Sequence, residues 1–375
     1  LFPYTTLFRS TSKPCYTQEE LLESKTGTIG LGNTLKFNLT ETYKGRVIDN
    51  VYAKLAYATW GGSDGDWRGE HLRGASVIQK VRYYQTSNSI LEYERDEWEL
   101  MASTLKEDAR DAFLRTSSAL DPDTDATVHN VKMINFWNFL EYHPARSLLV
   151  DRLSGNDVWI DLQLVSALAK IGTTTTGTVA LPGSISISVI YHELLVDDHE
   201  ETVEESEKDH LINYLEMVTK DFTGVAAATK FQFDLSSMQA NSKLLTFFIK
   251  NETDNGNDIG LSAYFQLENN TTGIDLRNGG REIFSKTSPY QLDALFAATC
   301  ETDFPRKVLF LPFCLQDPIE TLDMHLGSLN HSHLEDMHLD ITVNVGDTDA
   351  YRGYVISLGE AYLSYDEKGK IKIHM

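Results

Sequence analysis

Histidine and carboxylate side chains are concentrated in one short segment near the C-terminal end of the chain. The segment LDMHLGSLNHSHLEDMHLD contains His325, His331, His333, Glu335 and His338. On a β-strand, alternate side chains point to the same face, so His331, His333 and Glu335 would lie side by side. Two imidazoles and one carboxylate form a ligand set that suits Fe, Mn or Zn. This spacing gives one functional hypothesis, a metal site.

The spacing departs from the metal-binding pattern of the cupins, jelly-roll enzymes that use an HxH pair and a Glu. In that pattern a Gly precedes the first His by six residues, where His325 stands here. A Glu follows the second His by four or five residues, where Met337 and His338 stand. A second HxH pair is absent from the sequence. We therefore keep a metal-binding bicupin-type enzyme as an alternative, and our main prediction contains no metal and no cofactor.

Other catalytic patterns give no support for an enzyme. A GxxxxGK[ST] phosphate loop and a GxGxxG turn are absent, and the GxSxG match at 61–65, GGSDG, lies in a Gly- and Asp-rich stretch. His192 and Glu193 begin like the HExxH helix of a metalloprotease, but Val196 stands where the second His is required. We therefore predict no catalytic residues and a protein that is not an enzyme.

Composition sets limits on the partners of the chain. Its 375 residues carry 33 Lys and Arg against 55 Asp and Glu, a net charge of −22. This length predicts two large domains. Because nucleic-acid affinity comes mainly from neutralising phosphates, the charge argues against direct sequence-specific nucleic-acid binding. The three cysteines show no CxxC spacing, which predicts reduced thiols in an intracellular folding compartment.

Short alternating or apolar runs predict antiparallel β-structure in both halves of the chain. In the first half these runs span 35–42, 51–59, 76–85, 133–142, 158–169 and 184–195. In the second half they span 230–235, 243–250, 261–268, 307–315, 337–345 and 354–365. Helical spacing of apolar residues predicts one short helix inserted in each half, over 96–116 and 288–299. The predicted fold class is all-β, with two consecutive sandwiches.

We expect five segments along the chain. The first ten residues, LFPYTTLFRS, resemble the conceptual translation of a sequencing-adapter oligonucleotide, and we expect them not to be native. The stretch DDHEETVEESEKD contains eight carboxylates and one Lys, which predicts a solvated connector between the domains. The expected segments are 1–10 as artefact, 11–32 as an N-terminal arm, 33–200 as the first sandwich, 201–212 as the acidic connector and 213–375 as the second sandwich.

Three stretches resemble the double jelly-roll major capsid proteins of tailless icosahedral DNA viruses, the lineage of nucleocytoplasmic large DNA viruses, polinton-like viruses and virophages. In 133–164, the aromatic cluster Phe136, Trp137 and Phe139 and the loop 144–150 are similar to the family's aromatic strand and following loop. The other two stretches are 184–214, a long strand entering an acidic helix, and 308–345, a Pro-Phe strand followed by Gly-x-x-Asn-x-Ser.

This resemblance implies the fold and the assembly. Each half would be an eight-stranded antiparallel jelly roll, and three chains would close a homotrimeric, pseudo-hexameric capsomer that tiles an icosahedral virion shell. The implied partners are the chain itself, neighbouring capsomers, and penton and minor capsid proteins. The 11–32 arm would lie under the shell, against other capsomers or an internal membrane, and the sequence does not choose between them. His333 and Glu335 stand where many relatives carry Arg and Asp.

A third hypothesis is a tandem β-sandwich that binds carbohydrate. Trp60 and Trp67 lie in the Gly- and Asp-rich stretch TWGGSDGDWRG, where exposed aromatic rings could stack on sugars. The same rings could equally fill a contact between capsomers. Metal content, glycan binding and the oligomeric state distinguish the three hypotheses.

Overall fold

The computed structural model describes most of the predicted strands. The described residues are 17–24, 26–40, 46–57, 65–67, 76–103, 128–140, 147–168, 172–174, 181–193, 210–224, 228–251, 267, 270–285, 288–289, 291, 308–314, 327–331, 334 and 336–375. The adapter-like segment 1–10, most of the acidic connector and the predicted strand 261–268 lie outside them, apart from Leu267.

The first half of the chain forms two facing antiparallel sheets. Its strands are β1 (Thr17–Glu23), β2 (Thr34–Asn38), β3 (Arg46–Ala56), β4 (Gly65–Trp67), β5 (Ile78–Gln85), β6 (Asn88–Glu94), β7 (Val128–Lys132), β8 (Leu148–Leu149), β9 (Val158–Leu164), β10 (Gly172–Thr174) and β11 (Ser184–Glu193). One sheet has the order β1-β11-β3-β7, with β8 also paired to β3, and the other has the order β2-β9-β5-β6. Helix α1 (Arg95–Ser103) follows β6, a 3-10 turn covers Val150–Leu153, and β4 pairs with β10.

The second half repeats this arrangement. Its strands are β12 (His210–Thr223), β13 (Ala228–Asp234), β14 (Asn241–Asn251), β15 (Thr271–Asn278), β16 (Arg281–Phe284), β17 (Leu309–Pro312), β18 (Met337–Asn344), β19 (Ala350–Tyr365) and β20 (Ile371–His374). The sheets have the orders β12-β19-β14-β17 and β13-β18-β15-β16, and β20 extends the first of them by pairing with β19.

Both halves have the connectivity of a jelly roll. When the eight main strands of each half are counted in chain order, one sheet has the order 1-8-3-6 and the other 2-7-4-5. The predicted fold class, two consecutive eight-stranded antiparallel jelly rolls with inserted helices, is therefore confirmed. Helix α1 begins at Arg95, one residue before the predicted 96–116 helix, and 104–116 lie outside the described residues. The predicted 288–299 helix lies mostly outside the described residues, although the Ser288 backbone N–H donates to Gln291 Oε1 at 3.1 Å, as at a helix start.

The alternation that predicted the strands also orders their faces. In β5, Val81 and Tyr83 are buried in the core of the first jelly roll, whereas Lys80 and Arg82 lie on the outer face. The ends of the strands differ more from prediction, since β13 and β14 each begin two residues earlier than the pattern suggested. A period of two residues thus located the strands, and hydrogen bonding extended them.

The predicted strand over 133–142 is wrong. The described part of this segment is a tight loop, in which the backbones of Asn135 and Phe139 exchange two hydrogen bonds of 3.1 and 2.9 Å. Phe139 has a positive φ of 53°, a conformation that a strand does not contain. Phe136 and Trp137 are nevertheless buried in the core. An apolar run indicates burial, and here the buried structure is a loop.

Part of the predicted N-terminal arm belongs to the first jelly roll. Within 11–32, residues 17–23 form β1, which pairs antiparallel with β11 from Thr17↔His192 to Glu23↔Ser186. Leu22 packs against the core cluster of the first jelly roll. The sequence TQEELLE did not predict this strand because it has few apolar residues, and an edge strand can form with few of them. Strand β12 likewise begins at His210, inside the predicted connector, and the other boundaries stay predictions.

The C-terminal hairpin between β19 and β20 is fitted closely to the first jelly roll. Gly369 has a φ of +73°, and a Cβ atom there would lie 2.3 Å from the carbonyl carbon of Leu153. Replacing Gly369 by Ala therefore combines left-handed backbone strain with a backbone clash. We expect a loss of roughly 1–3 kcal/mol in unfolding free energy, measured by denaturant titration. Gly279, at +57° with nothing near its Cβ position, is the control for backbone strain alone.

Candidate functional site

The described part of the histidine segment anchors a loop to the second jelly roll. His331 is 5% exposed, and its Nε2 lies 2.5 Å from Ser242 Oγ on β14. Ser242 in turn contacts Ser357 Oγ on β19, and its backbone forms a two-way bridge with Leu329. Burial lowers the pKa of His331 to about 4, so the ring is neutral near pH 7. This contact accounts for His331 as a packing residue.

The residues of the candidate metal site are only partly described. His331 lies outside the named strands, and the Leu334 backbone N–H donates to its carbonyl oxygen at 3.0 Å. His338 lies instead on β18, where its Nε2 is 2.7 Å from Asp336 Oδ1. His325, His333 and Glu335 lie outside the described residues. Within the part that the structure describes, no three His, Cys, Asp or Glu side chains form a metal-binding group. The metal site stays a prediction.

The HExxH-like start lies on a strand and takes part in a buried polar cluster. His192 Nδ1 on β11 is 3.0 Å from Asp49 Oδ2, and Ser147 Oγ donates to Asp49 Oδ1 at 2.6 Å. The Asp49 carbonyl oxygen accepts from Trp137 Nε1 and Asn138 Nδ2. The serine bonds the carboxylate, whereas the serine of a nucleophilic triad bonds the imidazole. The cluster joins the 133–140 loop to β3.

The two jelly rolls meet at an apolar junction. Along β14, in the sheet β12-β19-β14-β17, nearly every residue is buried, so both faces are covered. One face packs in the core of its own jelly roll through Leu245, Phe247 and Ile249. The other face belongs to the same apolar cluster as the core of the first jelly roll; its members are Leu215, Leu244, Phe248, Phe310, Tyr354, Ile356 and Leu358. The sequence missed this junction because a strand with two apolar faces does not reveal what covers them.

Polar contacts fix the two jelly rolls at the margin of this apolar junction. Lys250 on β14 forms an ion pair with Asp96 at the start of α1. Gln85 Nε2 donates to the Gly369 carbonyl oxygen at 3.0 Å, and Gln85 Oε1 accepts from the Ile371 N–H at 3.0 Å. Gln85 is only 2% exposed, so both bonds are shielded from water. The junction therefore has the composition of a permanent interface, apolar at its centre and hydrogen-bonded at its rim.

Glu97, in the first turn of α1, makes stability near this junction depend on pH. Burial raises the pKa of Glu97 to about 8, although its Oε2 accepts the Glu94 backbone N–H at 2.7 Å. The folded state binds the carboxyl proton of Glu97 more tightly than the unfolded chain does, since the pKa of the same group is near 4.5 when the chain is unfolded. The associated stability is complete below pH 4.5 and is lost as the pH rises through 8.

We expect Glu97→Gln to remove that pH dependence. Between pH 5 and pH 8, the wild-type chain should lose about 2–3 kcal/mol of unfolding free energy more than the variant does. The measurement is denaturant unfolding at both pH values. Glu92→Gln, at an exposed carboxylate on the neighbouring β6, should behave like wild type. Equal pH slopes for wild type and Glu97→Gln would show that the carboxyl group is ionised in the fold.

The residues of the carbohydrate hypothesis are only partly placed. Trp67 lies in the short strand β4, which pairs with β10, and Trp60 lies outside the described residues. In the described ranges, no helix is long and apolar enough to cross a membrane.

Comparison with known proteins identifies the fold class. No protein-family model and no curated protein matches the sequence. Among solved structures, PBCV-1 VP54, fitted into a cryo-EM reconstruction of the virophage Sputnik, is similar at 14% identity, a TM-score of 0.73 and 99% coverage of both chains. The PBCV-1 virus capsid model is similar at 15% identity, with a TM-score of 0.70 and 99% coverage of both chains.

A third similar structure is the Faustovirus major capsid protein. It has 11% identity and a TM-score of 0.63, and the match covers 97% of this chain and 93% of that one. The fold is thus that of the double jelly-roll viral major capsid proteins, and it extends over both halves of the chain. At these identities the likeness defines the fold, and the function requires an argument from the surfaces.

Proposed function

We propose that the chain is a major capsid protein that forms trimeric, pseudo-hexameric capsomers in an icosahedral virion shell. The observation that carries the proposal is the repeat of one jelly-roll topology in two sandwiches that share an apolar cluster. Three such pairs place six similar sandwiches around a ring, which gives a trimer a nearly hexagonal outline. A closed ring is the expected product of a head-to-tail contact whose rotation closes.

The junction inside the chain supports a ring. Its two sides differ. The second jelly roll contributes a sheet face, and the first contributes strand β6, helix α1 and the C-terminal end of β5. The first jelly roll has a sheet equivalent to that face, and the second has a strand equivalent to β6. Each chain therefore carries both halves of a second contact that its own sandwiches do not make. Repeating the contact between chains closes the assembly.

The remaining features agree with a structural role in the virion. The net charge of −22 favours solubility before assembly and disfavours direct genome binding. Neighbouring capsomers are the proposed next partners, followed by penton and minor capsid proteins. No residue is assigned to catalysis, and no cofactor is required.

Negative-stain imaging of the purified full chain, combined with light scattering, tests the proposal. We expect particles of three times 42.3 kDa with a pseudo-hexagonal projection. A monomer at all concentrations would contradict the proposal. Metal that co-purifies in stoichiometric amount and is lost in the His331→Ala, His333→Ala double variant would favour the bicupin-type enzyme. Binding to a glycan array would favour the carbohydrate-binding alternative.

A further inference from the structure

The two equivalent sheet faces of the jelly rolls differ in chemical character. In both jelly rolls the face in question is the outer face of the sheet with the order 1-8-3-6. In the second jelly roll this face is apolar and lies against the first jelly roll. We call the corresponding outer face of β1, β11, β3 and β7 the β1–β7 face.

The strand register shows that the β1–β7 face is mainly polar. Residues that pair across antiparallel strands point to the same side of a sheet, so the pairings define rows. One row contains Leu21, Ser188, Tyr52 and Lys132, and the next contains Glu23, Ser186, Lys54 and Asn130. Further rows contain Glu19, Ile190 and Asn50, and Ser184, Ala56 and Val128.

The equivalent rows of the second jelly roll are apolar. One contains Met217, Ile356, Thr246 and Phe310, and the next contains Leu215, Leu358, Leu244 and Pro312. Phe248 stacks on Tyr354 with ring centroids 4.7 Å apart. Apolar area on this scale, removed from water within one chain, makes separation of the two sandwiches costly. The β1–β7 face lacks that apolar surface.

Exposed apolar side chains indicate that the β1–β7 face nevertheless binds a partner. Leu21 is 49% exposed and Val128 38% exposed, which places two large apolar side chains in water on one face. Glu19 is engaged with Ser188 at 2.6 Å and lies 4.0 Å from Lys54, which leaves a charged border around Leu21.

The contact between the two jelly rolls of one chain indicates which strand could cover the β1–β7 face. There, β12, the first strand of the second jelly roll, lies against β6, the fifth strand of the first. Burial raises the pKa of Tyr214 on β12, and two nearby carboxylates, Glu216 and then Glu92 of β6, raise it further. The equivalent contact between chains joins β1 of one copy to β16 of another. Strand β16 carries Ile283, 40% exposed, beside Arg281 and Glu282.

We propose that the β1–β7 face binds strand β16 of a second copy of this chain, with Leu21 and Ile283 in contact inside a polar, charged border. This inference rests on the proposed capsid function and specifies its subunit contact. Arg281 supplies a cation opposite Glu19 and Glu23. Because the contact between chains is polar where the junction within a chain is apolar, subunits separate in salt while each chain stays folded.

The test is the trimer dissociation constant, measured by analytical ultracentrifugation with the full chain. Leu21→Lys and Ile283→Asp should each weaken the trimer by about tenfold or more, because each places a charge against an apolar side chain. The double variant should return to within about threefold of wild type, because the two new charges are opposite. Raising NaCl from about 0.05 to 0.5 M should weaken the wild-type trimer by about tenfold or more while circular dichroism stays unchanged.

Leu168→Lys is the matched control, since Leu168 is 40% exposed and lies outside this face. It should leave the trimer unchanged. Trimers that tolerate both single substitutions, or a double variant weaker than either single, would overturn the proposed contact while leaving the capsid function intact. Wild-type chains that never form trimers would instead contradict the capsid function itself.

Discussion

Replacing Trp137 by Ala is expected to lower the unfolding free energy of the chain by about 3–5 kcal/mol. Trp137 is 2% exposed and packs edge-on against Phe136 and Tyr83, with ring centroids 4.8 and 6.1 Å away. Its Nε1–H also donates to the Asp49 carbonyl oxygen at 3.0 Å. The substitution therefore opens a cavity in the first jelly roll and leaves a buried carbonyl without one of its donors.

Denaturant unfolding, followed at a single protein concentration, measures this loss. The concentration must be fixed because subunit association adds to apparent stability. Trp159→Ala is the matched control. Trp159 stacks on Tyr84 at 6.5 Å on the outer face of β9 and is only half-buried, so its loss should cost roughly 1 kcal/mol. Equal costs for the two variants would mean that the 133–140 loop is not part of the core.

Glu360→Ala is expected to cost a similar 3–5 kcal/mol, for an electrostatic reason. Lys243 is buried in the sheet of β14 and β19, with a side chain only 4% exposed, and its Nζ lies 3.5 Å from Glu360 Oε1. Asn213 Oδ1 accepts a hydrogen bond from the same ammonium group at 2.5 Å. Without Glu360, the ammonium group keeps a neutral acceptor and loses its counter-charge. A buried charge without its partner is strongly destabilising.

The double variant Lys243→Met, Glu360→Leu separates this effect from a loss of packing. With both charges replaced by apolar groups of similar size, stability should return to within about 1 kcal/mol of wild type or exceed it. Arg352→Met, which breaks an exposed ion pair with Asp221, is the surface control and should cost less than about 1 kcal/mol. If the double variant were no more stable than Glu360→Ala, the cost would come from the shape of the site.

Strand positions in both halves could be predicted because alternation is a local property. The runs at β5, β9, β11, β14 and β18 located those strands to within a few residues of their observed ends. Strand β12, HLINYLEMVTKDFT, was missed, because its half-buried edge position and the acidic residues before it suggested a helix. Its partner β19 supplies the hydrogen bonds that decide its structure, and those come from residues more than a hundred positions away.

The candidate metal site shows the limit of a pattern that depends on an assumed strand. His331 and His333 share a face only if the segment is a strand, and the described strands β17 and β18 do not include His331. Ser242, which contacts His331, lies 89 residues earlier in the sequence. No local spacing identifies such a partner. The burial that lowers the pKa of His331 is therefore a property of the folded chain alone.

The sequence by itself determined which faces of a strand are apolar. In β14, Leu244 and Leu245 are followed by Phe247 and Phe248, so both faces must be covered, whereas the Ser-Ile-Ser-Ile alternation of β11 leaves one polar face. Only the tertiary structure decided what covers them. Because the hydrophobic effect is not directional, an apolar face can pack against any apolar partner. Chain connectivity and strand register select the first jelly roll as the partner of β14. The polar face of β11 is part of the surface that we propose for a second copy.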